Sequence, residues 1–310
     1  MREIHRRGTT VVVSIVCLVM VALPAAAAGA LDRTFGGGRA VSTHVPAAAD
    51  AASGPVYMVL GDSVAASFQS FEGGDTHSGY AEQVFQAEQA NIPDLRLVKL
   101  ACPGERTSTI DKAEKRCPYA EGSQLAQAVA TLEDREVAFV TLQIGANDLF
   151  SCFRFDQGVF DEACVDAKLP KVSARLTSIV ETLRAAGPDV PIIGVTNHDP
   201  LLALWTAPGF PQELVEADAA MWDVINDAIA QTFAALGAPV ADVEAAFSDG
   251  DFFTIVHVRG FGDLPLNVAR ICQWTIMCAT QGGDPHPNTL GYVAYTRAIL
   301  PAVDAAVGGS

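Results

Sequence analysis

Residues 56–64 read VYMVLGDSV, a short apolar run that ends at a glycine and two polar residues. An unbroken apolar run of this length is typical of a strand that is buried on both faces, as in a parallel sheet. The residues after it predict a tight turn into a helix, which would expose the Ser63 hydroxyl at the carboxyl edge of the sheet. A serine in this position is a candidate nucleophile, although the isolated Gly61-Asp62-Ser63 tripeptide is more often a helix cap.

Apolar runs of this kind recur and alternate with stretches of helical spacing. The predicted strands cover 56–60, 95–100, 137–144, 190–196 and 239–243. The predicted helices cover 80–90, 123–132, 170–186, 211–236 and 289–307, with Pro170 and Pro211 in first helical turns. The alternation predicts the α/β class, with helices on both faces of a parallel sheet. Residues 245–287 have little helical periodicity and predict a disulfide-pinned wall or partial lid over the site.

The first 30 residues are typical of a secretory signal peptide. Arg2, Arg6 and Arg7 precede an apolar stretch at 11–23, and small residues follow it. The stretch is shorter than the roughly 20 residues that span a bilayer, so an uncleaved anchor is the weaker alternative. Residues 31–54 predict a disordered lead-in, and 55–308 predict one globular domain. We therefore expect an extracellular protein without a transmembrane anchor after cleavage, either free or associated with the cell wall.

The composition argues against a nucleic-acid partner. Half of the residues are hydrophobic, 18% are charged, and the formal net charge is −16 at pH 7. An acidic protein surface repels phosphate backbones. Solubility is a sufficient explanation for the negative charge of an extracellular protein. No feature of the sequence indicates an oligomer, so a monomer is the expectation.

Six of the seven cysteines lie beyond the predicted signal peptide, in three local pairs. The pairs are Cys102 with Cys117, Cys152 with Cys164, and Cys272 with Cys278. Many connectivities are open to six cysteines, and the sequential one is preferred because each pair brackets a short polar loop that one bridge can close. A zinc site is the weaker alternative because the sequence has no Cys-x-x-Cys pair, and no metal is predicted.

Three further polar segments fall where a parallel sheet would gather them at its carboxyl edge. Gly104 follows the second strand and leaves its backbone N–H open to a substrate oxygen. Asn147 follows the third strand and can offer two amide hydrogens to a developing oxyanion. His286 lies between two prolines, close to Asp284, and is a candidate base. Each segment alone would be interpreted as an ordinary turn. It is the order of the segments and their expected position at the same sheet edge as Ser63 that indicate a shared active site.

The four segments together resemble the motifs of the GDSL or SGNH hydrolases. The matching stretches are GDS (61–63), CPG (102–104), GAND (145–148) and DPHP (284–287). The resemblance covers residues 56–307 and is closest to secreted, three-disulfide lipases and esterases of actinobacteria. It implies a flavodoxin-like three-layer α/β/α fold and a carboxylic ester hydrolase that works through an acyl-enzyme without a cofactor or metal.

The resemblance also implies the roles of the matching residues. Ser63 would be the nucleophile, His286 its base, and Gly104, Asn147 and the Ser63 backbone the oxyanion donors. Many members of the family carry the third catalytic residue three positions before the histidine, where this sequence has Gly283. Asp284 is expected to take that role, and a main-chain carbonyl near Gly283 is the alternative.

The sequence is compatible with more than one substrate class and with other functions. The substrate is expected to be a small-molecule or lipid ester, because the apolar run at 201–205 favours a lipase or esterase over a glycan deacetylase. A phospholipase is equally compatible, whereas a non-catalytic binding protein would be expected to have lost a motif residue. Ala65 argues against the Gly-x-Ser-x-Gly elbow of α/β-hydrolases. Trp205, Phe210 and Trp222 could line an acyl pocket, but a place in the core is favoured.

Overall fold

The structure is a computed structural model that describes residues 54–70, 74–279 and 283–308. The predicted signal peptide and the lead-in up to residue 53 lie outside these residues. Within them, no helix combines the length and the apolar character that crossing a membrane requires.

The described residues form eleven strands and eight α-helices. The strands are β1 (Val56–Gly61), β2 (Phe68–Gln69), β3 (Gly74–Asp75), β4 (Arg96–Lys99), β5 (Val137–Gln143), β6 (Phe153–Arg154), β7 (Val159–Phe160), β8 (Ile192–Val195), β9 (Val240–Ala241), β10 (Ile255–Val258) and β11 (Gly262–Pro265). The helices are α1 (Tyr80–Glu88), α2 (Gln124–Asp134), α3 (Ala146–Leu149), α4 (Glu162–Ala186), α5 (Gln212–Ala235), α6 (Val243–Phe247), α7 (Leu266–Trp274) and α8 (Thr289–Val307). Two 3-10 helices span Phe150–Cys152 and Pro200–Thr206.

A central sheet of five parallel strands confirms the predicted α/β class. Its order is β4-β1-β5-β8-β9, and all six residues of β1 are buried. Tyr57 and Val59 of β1 belong to one hydrophobic cluster, which includes residues of α1 and α8. Met58 and Leu60 belong to a second cluster, which includes residues of α2 and α4. Because alternate residues of a strand face opposite sides, the sheet lies between two helical layers.

Helix α4 begins at Glu162, so the prediction that Pro170 occupies its first turn is wrong. The Asp161 carboxylate accepts a hydrogen bond from the Cys164 backbone N–H at 3.1 Å and caps the helix there. Pro170 therefore lies inside the helix, where it removes one backbone hydrogen bond. Val165 and Val172 on either side of it are buried, and this packing holds the helix together across the proline. Pro211 is the N-cap residue of α5 rather than a residue of its first turn.

Residues 245–287 contain more regular structure than their sequence predicted. The β10–β11 hairpin and α7 supply Val258, Leu264 and Val268 to the core cluster around α8. The elements were missed because a four-residue strand and a nine-residue helix are too short to establish a period. The prediction of an irregular segment is therefore wrong for the part that forms α6, β10, β11 and α7.

Three disulfides join cysteines that are near neighbours in the sequence. They are Cys102–Cys117, Cys152–Cys164 and Cys272–Cys278. The first closes the loop that follows β4, and the second links a 3-10 helix to the first turn of α4. The third closes the loop after α7. All three brace segments near the carboxyl ends of the parallel strands or the loop before α8.

Candidate active site

Three of the four motif segments meet at the carboxyl edge of the sheet. Ser63 follows β1, Gly104 follows β4, and Asn147 is in the first turn of α3, directly after β5. The segments are joined by hydrogen bonds, since the Cys102 N–H donates to the Gly61 carbonyl at 3.0 Å. The Asn147 amide donates to the Glu105 carbonyl, also at 3.0 Å. The sheet edge thus brings together residues that are far apart in the sequence.

The turn that carries Ser63 is fixed by its neighbours. Gly61 has φ +135°, and a Cβ there would lie 2.0 Å from the Gln143 carbonyl oxygen, so only glycine fits. The Gln124 amide accepts from the Gly61 N–H at 2.7 Å and donates to its carbonyl at 3.0 Å. Ser63 itself is partly exposed, and its hydroxyl has no hydrogen-bond partner among the described residues. The serine side chain is therefore held at the surface by a rigid backbone and is open to a substrate.

Asp62 supports this turn from below. Its Oδ1 accepts a hydrogen bond from the Val64 N–H at 3.1 Å, and its Oδ2 lies 3.4 Å from the Asn147 amide nitrogen. Burial raises the pKa of Asp62 to about 7, and the negative charges of Asp148 and Glu105 act in the same direction. Because this buried carboxyl is hydrogen-bonded to the turn and to Asn147, it fixes the positions of two motif segments relative to each other.

Gly104 and Asn147 are the two residues besides Ser63 that the family resemblance predicts as oxyanion donors. Gly104 is exposed with φ +88°, and open space surrounds the position where a Cβ would be. Asn147 is half-buried, and its amide nitrogen donates to the Glu105 carbonyl and, over the longer 3.4 Å distance, to Asp62. The bond to Asp62 is the longer and therefore the weaker of the two.

His286 and Asp284 form a close pair on the loop before α8. The His286 Nδ1 lies 2.5 Å from Asp284 Oδ1, which also accepts from the His286 backbone N–H at 2.9 Å. Asp284 Oδ2 accepts a short hydrogen bond from the Ser70 hydroxyl. Burial pushes the pKa of Asp284 upward, but hydrogen bonds from Ser70 and His286 outweigh it, and the net pKa is lowered. The Asp284 carboxylate is thus ionised and hydrogen-bonded to the His286 imidazole. Gly283, whose carbonyl region is the alternative partner, precedes it in the sequence.

The short segment Phe68–Gln69 connects the serine and the histidine. The Phe68 N–H donates to the Ser63 carbonyl at 2.9 Å, and the Phe68 ring lies 4.8 Å from the His286 ring. The Gln69 amide donates to the Pro287 carbonyl at 3.1 Å. These contacts, and the hydrogen bond from Ser70 to Asp284, could not be predicted because residues 68–70 belong to no motif and show no periodicity.

The three tryptophan and phenylalanine candidates for an acyl pocket differ in burial. Trp222 is fully buried in the cluster between α4 and the sheet, as the core interpretation predicted. Trp205 and Phe210 are only partly buried, and the Trp205 ring lies 5.6 Å from the Phe252 ring. These two side chains therefore remain available to an apolar ligand.

The arrangement offers a hydroxyl, a paired imidazole and carboxylate, and several N–H donors at one edge of the sheet. Such groups suit nucleophilic catalysis with general-base assistance. Across the described residues, no group of three or more His, Cys, Asp or Glu side chains is arranged to hold a metal ion.

Comparison with known proteins identifies the family. A profile of the GDSL-like lipase/acylhydrolase family matches residues 59–294. An extracellular lipase from Streptomyces rimosus has 19% identity and a TM-score of 0.55, with 80% of this chain and 99% of that chain covered. A phospholipase A1 from Streptomyces albidoflavus has 20% identity and a TM-score of 0.50, with 81% and 100% covered. These two likenesses support the fold.

A search of curated protein sequences found no match. The family profile spans most of the described residues and all four motif segments, including Ser63 and His286. The chain belongs to the GDSL-like lipase/acylhydrolase family of hydrolases.

Proposed function

We propose that the protein is an extracellular carboxylic ester hydrolase that works through a Ser63 acyl-enzyme. The observation that carries the proposal is the 2.5 Å pair of His286 and Asp284, which Phe68 links to the turn of Ser63, a partly exposed serine whose hydroxyl has no hydrogen-bond partner among the described residues. Family membership supports it. We further propose that residues 1–30 are a cleaved signal peptide and that 55–308 form the hydrolase domain, in agreement with its three disulfides.

The proposed reaction starts with attack of Ser63 Oγ on the ester carbonyl carbon. Since Asp284 occupies the Nδ1 side of His286, Nε2 is the nitrogen left to accept the serine proton. The resulting imidazolium is stabilised by the Asp284 carboxylate, whose pKa is lowered. The imidazolium then protonates the leaving alcohol, which leaves an acyl group on Ser63. Attack by water, with His286 again as base, releases the carboxylic acid and restores the serine.

The negative oxygen of the tetrahedral intermediate would be bound by three donors. These are the backbone N–H groups of Ser63 and Gly104 and the side-chain amide of Asn147. The exposed Gly104 backbone, without a neighbouring side chain, leaves room for the substrate oxygen. Asn147 would give up its 3.4 Å contact with Asp62 to make this bond.

Acyl esters with an apolar chain are the proposed substrate class. The apolar side chains of Leu204 and Trp205 are only partly buried, on the 3-10 helix that follows β8. Fatty acyl chains gain about 0.8 kcal/mol for each methylene that such a surface removes from water. The similarity to an extracellular lipase and a phospholipase A1 agrees with this class.

Hydrolysis of p-nitrophenyl esters from acetate to palmitate tests the proposal. The protein without residues 1–30 is compared with its Ser63→Ala variant and with Ser78→Ala, which changes an exposed serine outside the site. We expect turnover that peaks at medium or long chains, is unchanged in Ser78→Ala and is lost in Ser63→Ala. A peak confined to acetate would redirect the substrate to acetylated glycans, and turnover that survives Ser63→Ala would overturn the mechanism.

A further inference from the structure

His198 lies directly behind the loop that carries His286. It follows β8, is 4% exposed, and its ring stacks on Phe247 with 5.0 Å between centroids. Both ring nitrogens have partners at 2.8 Å, namely the Tyr295 hydroxyl at Nδ1 and the Pro285 carbonyl at Nε2. A buried imidazole with both nitrogens bonded has one defined orientation.

The partners of His198 also define its tautomer. A carbonyl oxygen only accepts, so Nε2 must carry the hydrogen and donate it to Pro285. Burial lowers the pKa of His198 to about 4, and the nearby His286 acts in the same direction, so the ring is neutral near pH 7. Nδ1 of the neutral ring then accepts from the Tyr295 hydroxyl, which in turn accepts from the Gln143 amide at 3.3 Å.

The hydrogen bonds therefore run in one direction, from Gln143 through Tyr295 and His198 to the Pro285 carbonyl. The Tyr295 hydroxyl and the His198 ring each accept a hydrogen bond from the group before them and donate one to the group after them, and every bond is buried or partly buried. In a buried site such a chain is stronger than its separate bonds, because each bond polarises the next.

The Pro285 carbonyl belongs to the peptide that links Pro285 to His286. The nitrogen of the same peptide donates to Asp284 Oδ1, so His198 and Asp284 hold this peptide from its two ends. Prolines have no N–H, and the loop can be held at residues 285 and 287 only through their carbonyls. Gln69 binds the second of these carbonyls at 3.1 Å. Both carbonyls that flank the His286 residue are thus held by side-chain donors.

We propose that His198 is a positioning residue for His286, acting as a neutral Nε2–H donor that fixes the peptide between Pro285 and His286. Tyr295 and Gln143 set the tautomer that makes this donation possible. The inference rests on the proposed function, since the position of His286 affects a rate only if His286 is the base.

Matched substitutions separate donation from packing. His198→Phe retains a ring that can stack on Phe247 and loses both nitrogens, whereas His198→Gln retains an N–H donor for Pro285. Tyr295→Phe removes only the hydroxyl that sets the tautomer. His257→Phe is the control, because His257 is an exposed histidine on β10 that pairs with Asp263 outside the site.

The kinetic readout uses a short, soluble p-nitrophenyl ester. We expect kcat to fall about 10- to 100-fold in His198→Phe, with KM within about twofold, because a displaced base slows the chemistry without weakening ground-state binding. His198→Gln should recover most of the loss, Tyr295→Phe should show a smaller loss, and His257→Phe should match the unmodified protein. A kcat of His198→Phe within twofold of the unmodified protein would overturn the inference, as would His198→Gln and His198→Phe being equally impaired.

A spectroscopic readout on the unmodified protein is independent of turnover. Long-range 1H–15N correlation of the histidine rings near pH 7 should show His198 as the Nε2–H tautomer, assigned by its absence in His198→Gln or, if that variant does not fold, by its shift in Tyr295→Phe. An Nδ1–H or doubly protonated ring would contradict the proposal. Absence of Ser63-dependent hydrolysis in the unmodified protein would instead refute the proposed function, while the tautomer would still test the donation to Pro285.

Discussion

The base side and the oxyanion side of the candidate site are built differently. The His286 loop is held by side chains, with Ser70 on Asp284, His198 on the Pro285 carbonyl and Gln69 on the Pro287 carbonyl. The Gly104 loop is held by main-chain bonds and by the covalent Cys102–Cys117 bridge. A base must keep its orientation through two proton transfers, whereas an oxyanion donor needs only a fixed N–H direction.

This difference predicts different vulnerabilities for the two sides. Changes of single side chains and of their protonation should affect the base side most. Changes of the backbone and of the redox state should affect the oxyanion side most. Asn147 is the exception, because it is a side-chain donor on the oxyanion side and links Glu105 with Asp62.

The largest effect is expected from Asp284→Asn. The amide can neither stabilise the imidazolium nor keep Nδ1–H as the donor, so kcat should fall about 10⁴-fold, as in other serine hydrolases. Asp263→Asn is the matched control, because Asp263 pairs with an exposed histidine on the β10–β11 hairpin. Steady-state hydrolysis of p-nitrophenyl butyrate measures both. A loss below about tenfold would favour a main-chain carbonyl near Gly283 as the group that orients His286.

The next effect tests the oxyanion side. Asn147→Ala removes a donor to the tetrahedral intermediate, so kcat should fall about 10²- to 10³-fold, or about 3 kcal/mol, with little change in KM. Asn91→Ala, which alters an exposed asparagine bonded to Glu88, is the control. A rise in KM at constant kcat would contradict this prediction, since Asn147 would then bind the substrate in its ground state and not the tetrahedral intermediate.

The third effect, on stability and not on turnover, is expected from removing the Cys102–Cys117 bridge. The bridge closes a loop with a sequence separation of 15, and Cys102→Ser with Cys117→Ser should lower the free energy of unfolding by about 3 kcal/mol. The pair Cys272→Ser and Cys278→Ser, with a separation of 6, should cost about 2 kcal/mol. Urea denaturation measures both. If the melting temperature of the unmodified protein did not respond to a reductant, these bridges would not contribute to stability.

The smallest effect concerns the pH dependence of stability. Burial raises the pKa of Asp62 and of Asp199 to about 7, and that of Asp249 well above its usual value. Between about pH 4 and pH 7 the folded protein holds protons that the unfolded chain has released, so the free energy of unfolding falls as pH rises. Two lowered pKa values act in the opposite direction: that of Asp284 does so only below its unfolded value, and that of His198, about 4, does so up to the usual histidine value of 6.5, where the three carboxyls outweigh it.

Denaturation at about pH 5 and at about pH 8 tests this dependence. The protein should be more stable at the lower pH, and Asp199→Asn should reduce the difference because it removes one titrating group. A stability that is constant or rises over this interval, or a difference that Asp199→Asn leaves unchanged, would contradict this prediction.

Much of the candidate site could be predicted because parallel strands end at the same edge of a sheet, so that the residues that follow them lie close together. Ser63, Gly104 and Asn147 each follow a strand of the central sheet, and strands of apolar residues are visible in the sequence. The start of α4 was misplaced because Pro170 resembles a first-turn proline, whereas the Asp161 cap decides the boundary.

The supporting contacts of the base could not be predicted. Ser70 and Asp284 are 214 residues apart, and His198 and Pro285 are 87 apart. Such pairs depend on the packing of loops against one another, which no period in the sequence reveals. The motifs therefore identify the candidate reacting residues, but not the residues that hold them in place.

Labelling with a fluorophosphonate tests the central claim most directly, because only an activated serine displaces fluoride from the probe. The intact mass of the protein and of its peptides would be followed together with esterase activity. We predict one adduct per chain on the peptide that contains Ser63, activity lost in proportion to labelling, and no adduct in Ser63→Ala. An adduct on another residue that abolishes activity, or rapid ester hydrolysis with Ser63 unlabelled, would contradict the account.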